Sequence, residues 1–443
     1  MSFVHDQSPE YMGNGLDLFT VPATQTSEEH GRWQDIHPVS SITDRGPIEF
    51  VIDGSSEYLD LARSWIYVKA KVVAANGTAV TDKKVAPVNL FLHSLFSQVD
   101  VTLQGKLVSS GSNTYPYRAM FGTLLNYGNE AKTTRLTSEL FYKDTAGAMD
   151  ETDPSKAIDA GGNAGLASRY KHSNKSNSIE LAGPIHADLF FQGRYILDMV
   201  ELKLKFTRSD AAFCLMSGET SPTQKVIIED ATLFIRKIKP NPSLALALVE
   251  KLKTTPAKYP IRRTDVKVFS LASGSFGTPK DNVFNGQIPD RLVIAMVDSD
   301  AYNGSYTKSP YNFKHNNLRY LGVFANGNQV PQKPLQLKYS ETGGQGFIMG
   351  YQSLFTGSGI MYGDHGNQIS REDYADGYTL YCFNLTPDLS SGENFNLIKQ
   401  GNLRIEIQFA SALQHTVNLI VYAEFDSVLE IDHSRNVLFD YAA

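Results

Sequence analysis

Two cysteines stand in the 443-residue chain, Cys214 and Cys382, far apart in sequence. A disulfide scaffold is thereby excluded, and a chain of this length has core enough to do without one. Both read as buried thiols in strands. The first residues, MSFVHDQSPEYMGNG, lack the apolar centre of a signal peptide. No stretch reaches the ~18 consecutive apolar residues that a membrane span requires. The expectation is a protein made in the cytosol, with no membrane span. Runs of five or more Lys/Arg are missing too, and the formal net charge is −6. That speaks against a protein built to grip nucleic acid, since a polyanion needs a basic face.

Catalytic signatures are equally scarce. There is no HExxH and no Walker loop, and Gly343-Gly344-Gln345-Gly346 has neither the spacing nor the preceding strand of a dinucleotide fingerprint. The ten histidines are dispersed. His186-Ala187-Asp188, expected on a strand, has the His-x-Asp form of an iron-binding pair, but the next histidine is His315, in the other half of the chain. Asp364-His365 lies in a glycine-rich loop. Ser305-Tyr306-Thr307-Lys308 has S-x-x-K form without its partner motifs. Asn76, Asn174, Asn303 and Asn384 begin glycosylation sequons, read as chance without a secretory signal. The reading is therefore no catalytic residue, no cofactor-binding residue and no metal ligand: not an enzyme.

What is present is β-structure. Aromatic residues make up 11% of the chain, with 22 Tyr and 24 Phe, and these favour strands. Gln98 to Leu103 alternates polar and apolar residues, placing Val99, Val101 and Leu103 on one face. Gly105 then supplies the positive φ of a tight hairpin turn, and Lys106-Leu107-Val108 starts the return strand. Ser112-Asn113-Thr114 and Pro116 open a helix whose Met120, Phe121, Leu124 and Leu125 form one apolar stripe. Further strands are expected at Pro47–Ile52, Ser64–Val73, Ile185–Phe191, Val200–Phe206 and Lys225–Ile238. In the second half they are expected at Asp265–Ala272, Arg291–Val297, Leu318–Ala325, Tyr378–Asn384, Asn402–Ala410 and Thr416–Ile431.

Three segments break this rhythm. Residues 1–44 carry loop chemistry with scattered apolar groups, Phe3, Leu18, Phe19 and Trp33 among them, and read as an extended arm anchored on its own domain or a neighbour. Residues 143–178 form a long polar stretch that suggests a surface tower or a partner-contact loop. Asn241-Pro242-Ser243 caps a helix with an apolar stripe at Leu244, Leu248 and Leu252, stopped by Pro256. This helix, residues 241–256, is the expected linker between domains 45–240 and 257–443.

The halves echo each other. The hairpin around Gly105 has a counterpart in Leu321–Val330, where Asn326-Gly327 is a strong turn signal. The helix at Tyr115–Tyr127 has a counterpart in Phe347–Phe355. Val200–Phe206 matches Asn402–Phe409 in style. An all-β protein follows: two eight-stranded antiparallel jelly-roll sandwiches in tandem, with short helices in loops.

Four blocks carry a family resemblance: PVNLFLHSLFSQVDVTLQGKLVSSGSNTYPYRAMFGTLLNYG, GPIHADLFFQGRYILDMVELKLKF, GYTLYCFNLTPDLSSGENFNLIKQGNLRIEIQFA and VNLIVYAEFDSVLEIDHSRNV. They resemble the double jelly-roll, hexon-type major capsid proteins of the Polinton (Maverick) and adintovirus group, over about Pro47 to Tyr441. The resemblance implies homotrimeric, pseudo-hexameric capsomers that tile an icosahedral shell around double-stranded DNA, without sequence-specific binding. It further implies a single jelly-roll penton protein as partner, and a virion location after synthesis in host cytoplasm and assembly in the nucleus. The competing expectation is a carbohydrate- or receptor-binding β-sandwich, a spike or lectin-like module.

Overall fold

The computed structural model describes residues 7–439 apart from 12, 44, 81–83, 110–111, 221, 341–343 and 390–393. Phe3 and Gly343 lie outside the described residues. Among the described residues, sixteen strands form the four main sheets. The first half contains β1 (Glu28–Ile36), β2 (Ile48–Ile52), β3 (Tyr58–Val73), β4 (Phe96–Leu103), β5 (Lys106–Ser109), β6 (Ile179–Pro184), β7 (Leu202–Arg208) and β8 (Lys225–Pro240). The second contains β9 (Ala257–Leu271), β10 (Gly277–Gln287), β11 (Arg291–Asp298), β12 (Leu318–Ala325), β13 (Asn328–Gln329), β14 (Leu380–Asn384), β15 (Gln400–Phe409) and β16 (Val417–Ile431).

Their pairing is the same twice. The first half has sheets β1-β8-β3-β6 and β2-β7-β4-β5; the second has β9-β16-β11-β14 and β10-β15-β12-β13. Each strand of the second half therefore takes the place of the strand eight earlier in the chain. These pairs are antiparallel, and each half is an eight-stranded jelly roll. Short strands extend the scheme: Val85–Pro87 pairs with Leu215–Ser217, Leu335–Gln336 with β12, and Val437–Phe439 with β16.

Period-two burial explains the strands. In β7, Leu202, Leu204 and Phe206 are buried while Lys203 points outward to Glu49 at 2.9 Å. In β15, Leu403, Ile405, Ile407 and Phe409 are buried between exposed or half-exposed Asn402, Arg404, Glu406 and Gln408. Each fully buried Leu, Ile or Phe contributes roughly 1.5–3 kcal/mol. Such faces join one hydrophobic cluster that runs through both halves.

Five helices matter below: α1 (Phe91–Ser94), α2 (Tyr115–Asn126), α3 (Ala164–Ser173), α4 (Pro242–Leu252) and α5 (Ile348–Ser358). In α4, Pro242 occupies the first turn and the Asn241 side chain accepts the Ser243 N–H at 3.0 Å.

Several expectations need correction. The segment 1–44 is not an arm throughout, because Glu28–Ile36 is the edge strand of the first sheet, with Trp33 opposite Arg236. Its sequence, EEHGRWQDI, hides the strand because one edge and most of both faces stay wet, so hydrogen bonding to β8 defines it, not burial. Ile185–Phe191 is not a strand: β6 ends at Pro184 and Asp188–Phe191 forms a 3-10 turn. An apolar run buried on all sides has no periodicity to tell the two apart. The stretch 143–178 is no bare tower. It contains α3, capped by Asn163, with Leu166 and Arg169 fully buried. β10 carries no alternation in its sequence, because GTPKDNVFNGQ is polar, with Val283 and Phe284 its buried residues.

Candidate assembly site

The joint between the halves is built on α2. Every residue of α2 except Gly122 and Asn126 is buried. Its Tyr117 ring stacks on Tyr302 at 5.5 Å and meets Tyr311 edge-on at 5.9 Å. Phe121 meets Phe313 at 5.4 Å and Tyr422 at 5.8 Å. Aromatic pairs of this kind add about 0.5–1.5 kcal/mol each beyond their burial. The amphipathic stripe read from sequence is thus only half the story: one face packs on the first jelly roll, and the aromatic face packs on the second.

Polar groups stitch the same seam. The Ser94 and Tyr311 hydroxyls share a hydrogen bond of 2.5 Å. Lys143 bridges to Asp373 at 2.6 Å, and the Tyr378 hydroxyl donates to the Asp144 carbonyl at 2.8 Å. Arg435 pairs with Asp198 at 2.6 Å. Lys132, buried, donates to the carbonyls of Leu124 at 2.9 Å and of Asn367 at 2.6 Å. Desolvation pulls its pKa down to about 7. Within the first half, beside this seam, Arg169 donates to the carbonyls of Pro87 and Tyr142 and pairs with Asp144 at 2.7 Å, a fully buried ion pair. None of these was read from the sequence; a lysine or arginine inside a polar loop gives no sign of burial.

Two other segments are apolar and open. In α4, Leu246 is 65% exposed, and Leu244, Leu248 and Val249 are also exposed; Leu252 is its buried residue. The segment before β1 exposes Tyr11, Leu16, Leu18, Phe19 and Val21, with Phe19 94% exposed. The two features adjoin, since the Asn241 N–H at the head of α4 donates to the Ser27 carbonyl at 2.8 Å.

The residues singled out from sequence fall as follows. Gly105 and Gln104 turn the β4–β5 hairpin with φ of 73° and 46°; Asn326 and Gly327 turn β12–β13 with 52° and 77°. Of the arm-contact candidates, Leu18 and Phe19 touch solvent, while Trp33 sits on β1, 46% exposed, edge-on to Trp65 at 6.5 Å. His186 and Asp188 do not converge: Asp188 pairs with Arg118 at 2.7 Å and accepts the Thr264 N–H at 3.1 Å. Asp364 and His365 contact each other in solvent. Lys308 bridges to Asp298 and Asp300, away from Ser305. Burial pushes both cysteine thiols up, keeping them protonated. Among the described residues, no helix is long and apolar enough to cross a membrane.

No protein-family model matches the chain. Over 435 residues it is 26% identical to the uncharacterized protein F54H12.2 of Caenorhabditis elegans, covering 95% of this chain and 99% of that one. Solved structures are similar over the full length. A chain from the 3.5 Å cryo-EM structure of the Sputnik virophage superposes with a TM-score of 0.62 at 12% identity, covering 99% of this chain and 94% of that one. The Faustovirus major capsid protein gives 0.58 at 9% identity, with 94% and 92% covered. The mavirus major capsid protein gives 0.53 at 10% identity, with 99% and 97% covered.

These structural neighbours are double jelly-roll viral capsid proteins.

The likeness spans both jelly rolls and the helix between them. At these identities it is a likeness of fold.

Proposed function

We propose that the chain is a structural major capsid protein of the Polinton, Maverick and adintovirus group. Three copies form a pseudo-hexameric capsomer, and capsomers tile an icosahedral shell around double-stranded DNA, with a single jelly-roll penton protein at the vertices. The carrying observation is the end-to-end fold likeness to capsid proteins in a chain whose two halves repeat one eight-strand order. Two like lobes per chain suit a threefold ring with six lobes. We divide the chain into jelly rolls at 28–240 and 257–443, joined by the linker helix, with the residues before 28 as the arm.

Two surface features support assembly. The exposed leucines of α4 and the exposed Leu16, Leu18, Phe19 and Val21 form the kind of apolar surface that permanent contacts cover. The acidic balance, −6 overall, suits a shell that encloses DNA without gripping it. The role is structural and not enzymatic, and the place of action is the virion, after synthesis in host cytoplasm and assembly in the nucleus.

Light scattering on the size-exclusion peak, with negative-stain microscopy of the same fraction, tests the reading. Trimers with a pseudo-hexagonal outline, or closed shells, are expected. A chain that stays monomeric at high concentration and in every assembly buffer would sink it.

A further inference from the structure

Three residues from distant parts of the first half meet in its interior: His93 on α1, Glu139 at the end of the 3-10 turn Arg135–Glu139, and His186 just after β6. All three are buried, and their ligand atoms lie within 4.8 Å of one another. His93 Nε2 stands 3.1 Å from Glu139 Oε2. The His93 and His186 rings meet edge-on with centroids 4.5 Å apart.

Two groups here are short of partners. Glu139 has no lysine or arginine in ion-pair reach among the described residues, and His93 is its hydrogen-bond partner. A buried carboxylate without a counter-charge is costly. The His186 ring, 4% exposed, makes no hydrogen bond among the described residues and meets the rings of His93 and Phe191, with Gly122 beside it. One divalent cation would remedy both deficits. The Arg118 charge, the nearest obstacle, is offset by Asp188 at 2.7 Å.

We propose that His93, His186 and Glu139 form a binding site for a divalent metal of the zinc class. Two imidazoles and a carboxylate are a zinc-type donor set, with a fourth position left for water. Tetrahedral bonds of ~2.1 Å set ligand atoms about 3.4 Å apart. The His93–Glu139 pair, at 3.1 Å, is close to that spacing, and a tilt of the His186 ring would bring in the third ligand, all three lying within 4.8 Å of one another. The surroundings match a metal-bound histidine. His93 Nδ1 lies 2.9 Å from the Tyr115 hydroxyl, which also accepts the His186 backbone N–H at 3.4 Å. An Nδ1–H donated to Tyr115 leaves the Nε2 lone pair for the ion, as an outer hydrogen bond does at metal sites. The way in is a cleft of about 420 Å³ between the halves, with His186, Arg118 and Gly122 in its wall. The ion would tie α1, the 135–139 turn and the segment after β6 into one unit.

The test uses the full chain, stripped with chelator, dialysed and then titrated with Zn²⁺ or Co²⁺. One equivalent of zinc by elemental analysis is expected, together with a Tm rise of about 3 °C or more at a hundredfold excess over Kd. Cobalt should give the visible absorption of a tetrahedral site, which needs no variant. His93→Ala and His186→Ala should weaken binding at least about 100-fold, since even outer-shell losses cost 10–100-fold. Should either variant fail to fold, Glu139→Gln keeps the shape and should still weaken binding and alter the cobalt spectrum. Absence of stoichiometric zinc, or binding undiminished in the folded variants, overturns the proposal. Neither result depends on whether the chain assembles into shells.

Discussion

The helices α2 and α5 occupy the same place in the two jelly rolls, in the connection between the hairpin and the strand that follows it. They are used in opposite ways. α2 is buried on nearly all sides and carries the aromatic residues that hold the second half. In α5 only Gly350, Ser353, Leu354 and Gly357 are buried, and Ile348 and Met349 face solvent. A duplicated topology therefore does not duplicate the roles of its loops. The first half donates its helix to the joint. The second packs its helix chiefly on its own sheet, where Gly357 lets it approach Cys382 of β14 closely, and touches α2 only at its edge.

The largest difference between the two helices is expected from Phe121→Ala set beside Leu354→Ala, read by denaturant unfolding. Phe121→Ala removes ring contacts to Phe313 and Tyr422 and should cost about 3–5 kcal/mol, together with loss of cooperativity between the halves. Leu354→Ala should cost about 2–5 kcal/mol and leave the halves coupled. A joint that stays fully cooperative in Phe121→Ala would contradict the role given to α2.

Next comes pH. Lys132 holds the joint with its pKa lowered to about 7, below the 10.5 of an unfolded lysine. Between these values the unfolded chain binds the extra proton, so stability should rise with pH from about 7 to 10.5 and be lowest below 7. The contribution is on the order of 1 kcal/mol per pH unit. Lys132→Met should flatten that slope relative to the parent; an unchanged slope would show that Lys132 does not titrate there.

The hairpins are where the halves should agree. Gly105→Ala and Gly327→Ala each force a Cβ into φ above +70° and should cost about 1–2 kcal/mol, with no steric clash to add. A difference of more than ~1 kcal/mol between them would show that the turns are not equivalent. The smallest effect on the fold belongs to Leu246→Ser in α4, within about 0.5 kcal/mol for a surface change. Assembly by light scattering should nonetheless fall sharply, and full assembly would free α4 of that role.

Much of this was legible in the chain. Alternation in Val200–Phe206 and Asn402–Phe409, and the turns at Gly105 and Asn326-Gly327, gave strands, hairpins and the echo between halves, because a strand with one buried face must repeat every two residues. The Asn241-Pro242-Ser243 cap gave α4, since helix ends are local chemistry. β1 and β10 were not legible, because an edge strand with wet faces is specified by its partner's hydrogen bonds. The joint was not legible either: Phe121 looks like part of one helix's stripe, and Tyr117 stands outside that stripe, until the second half is folded against them. Arg169, Lys132 and the meeting of His93, Glu139 and His186 belong to the same class. Local pattern is written in neighbours along the chain, whereas which buried charges and rings meet depends on how loops tens of residues apart close around one core. Alternation and turn chemistry along the chain thus set the central strands and hairpins of both halves, whereas the closing of distant segments around one core chose which of two equivalent helices became the joint.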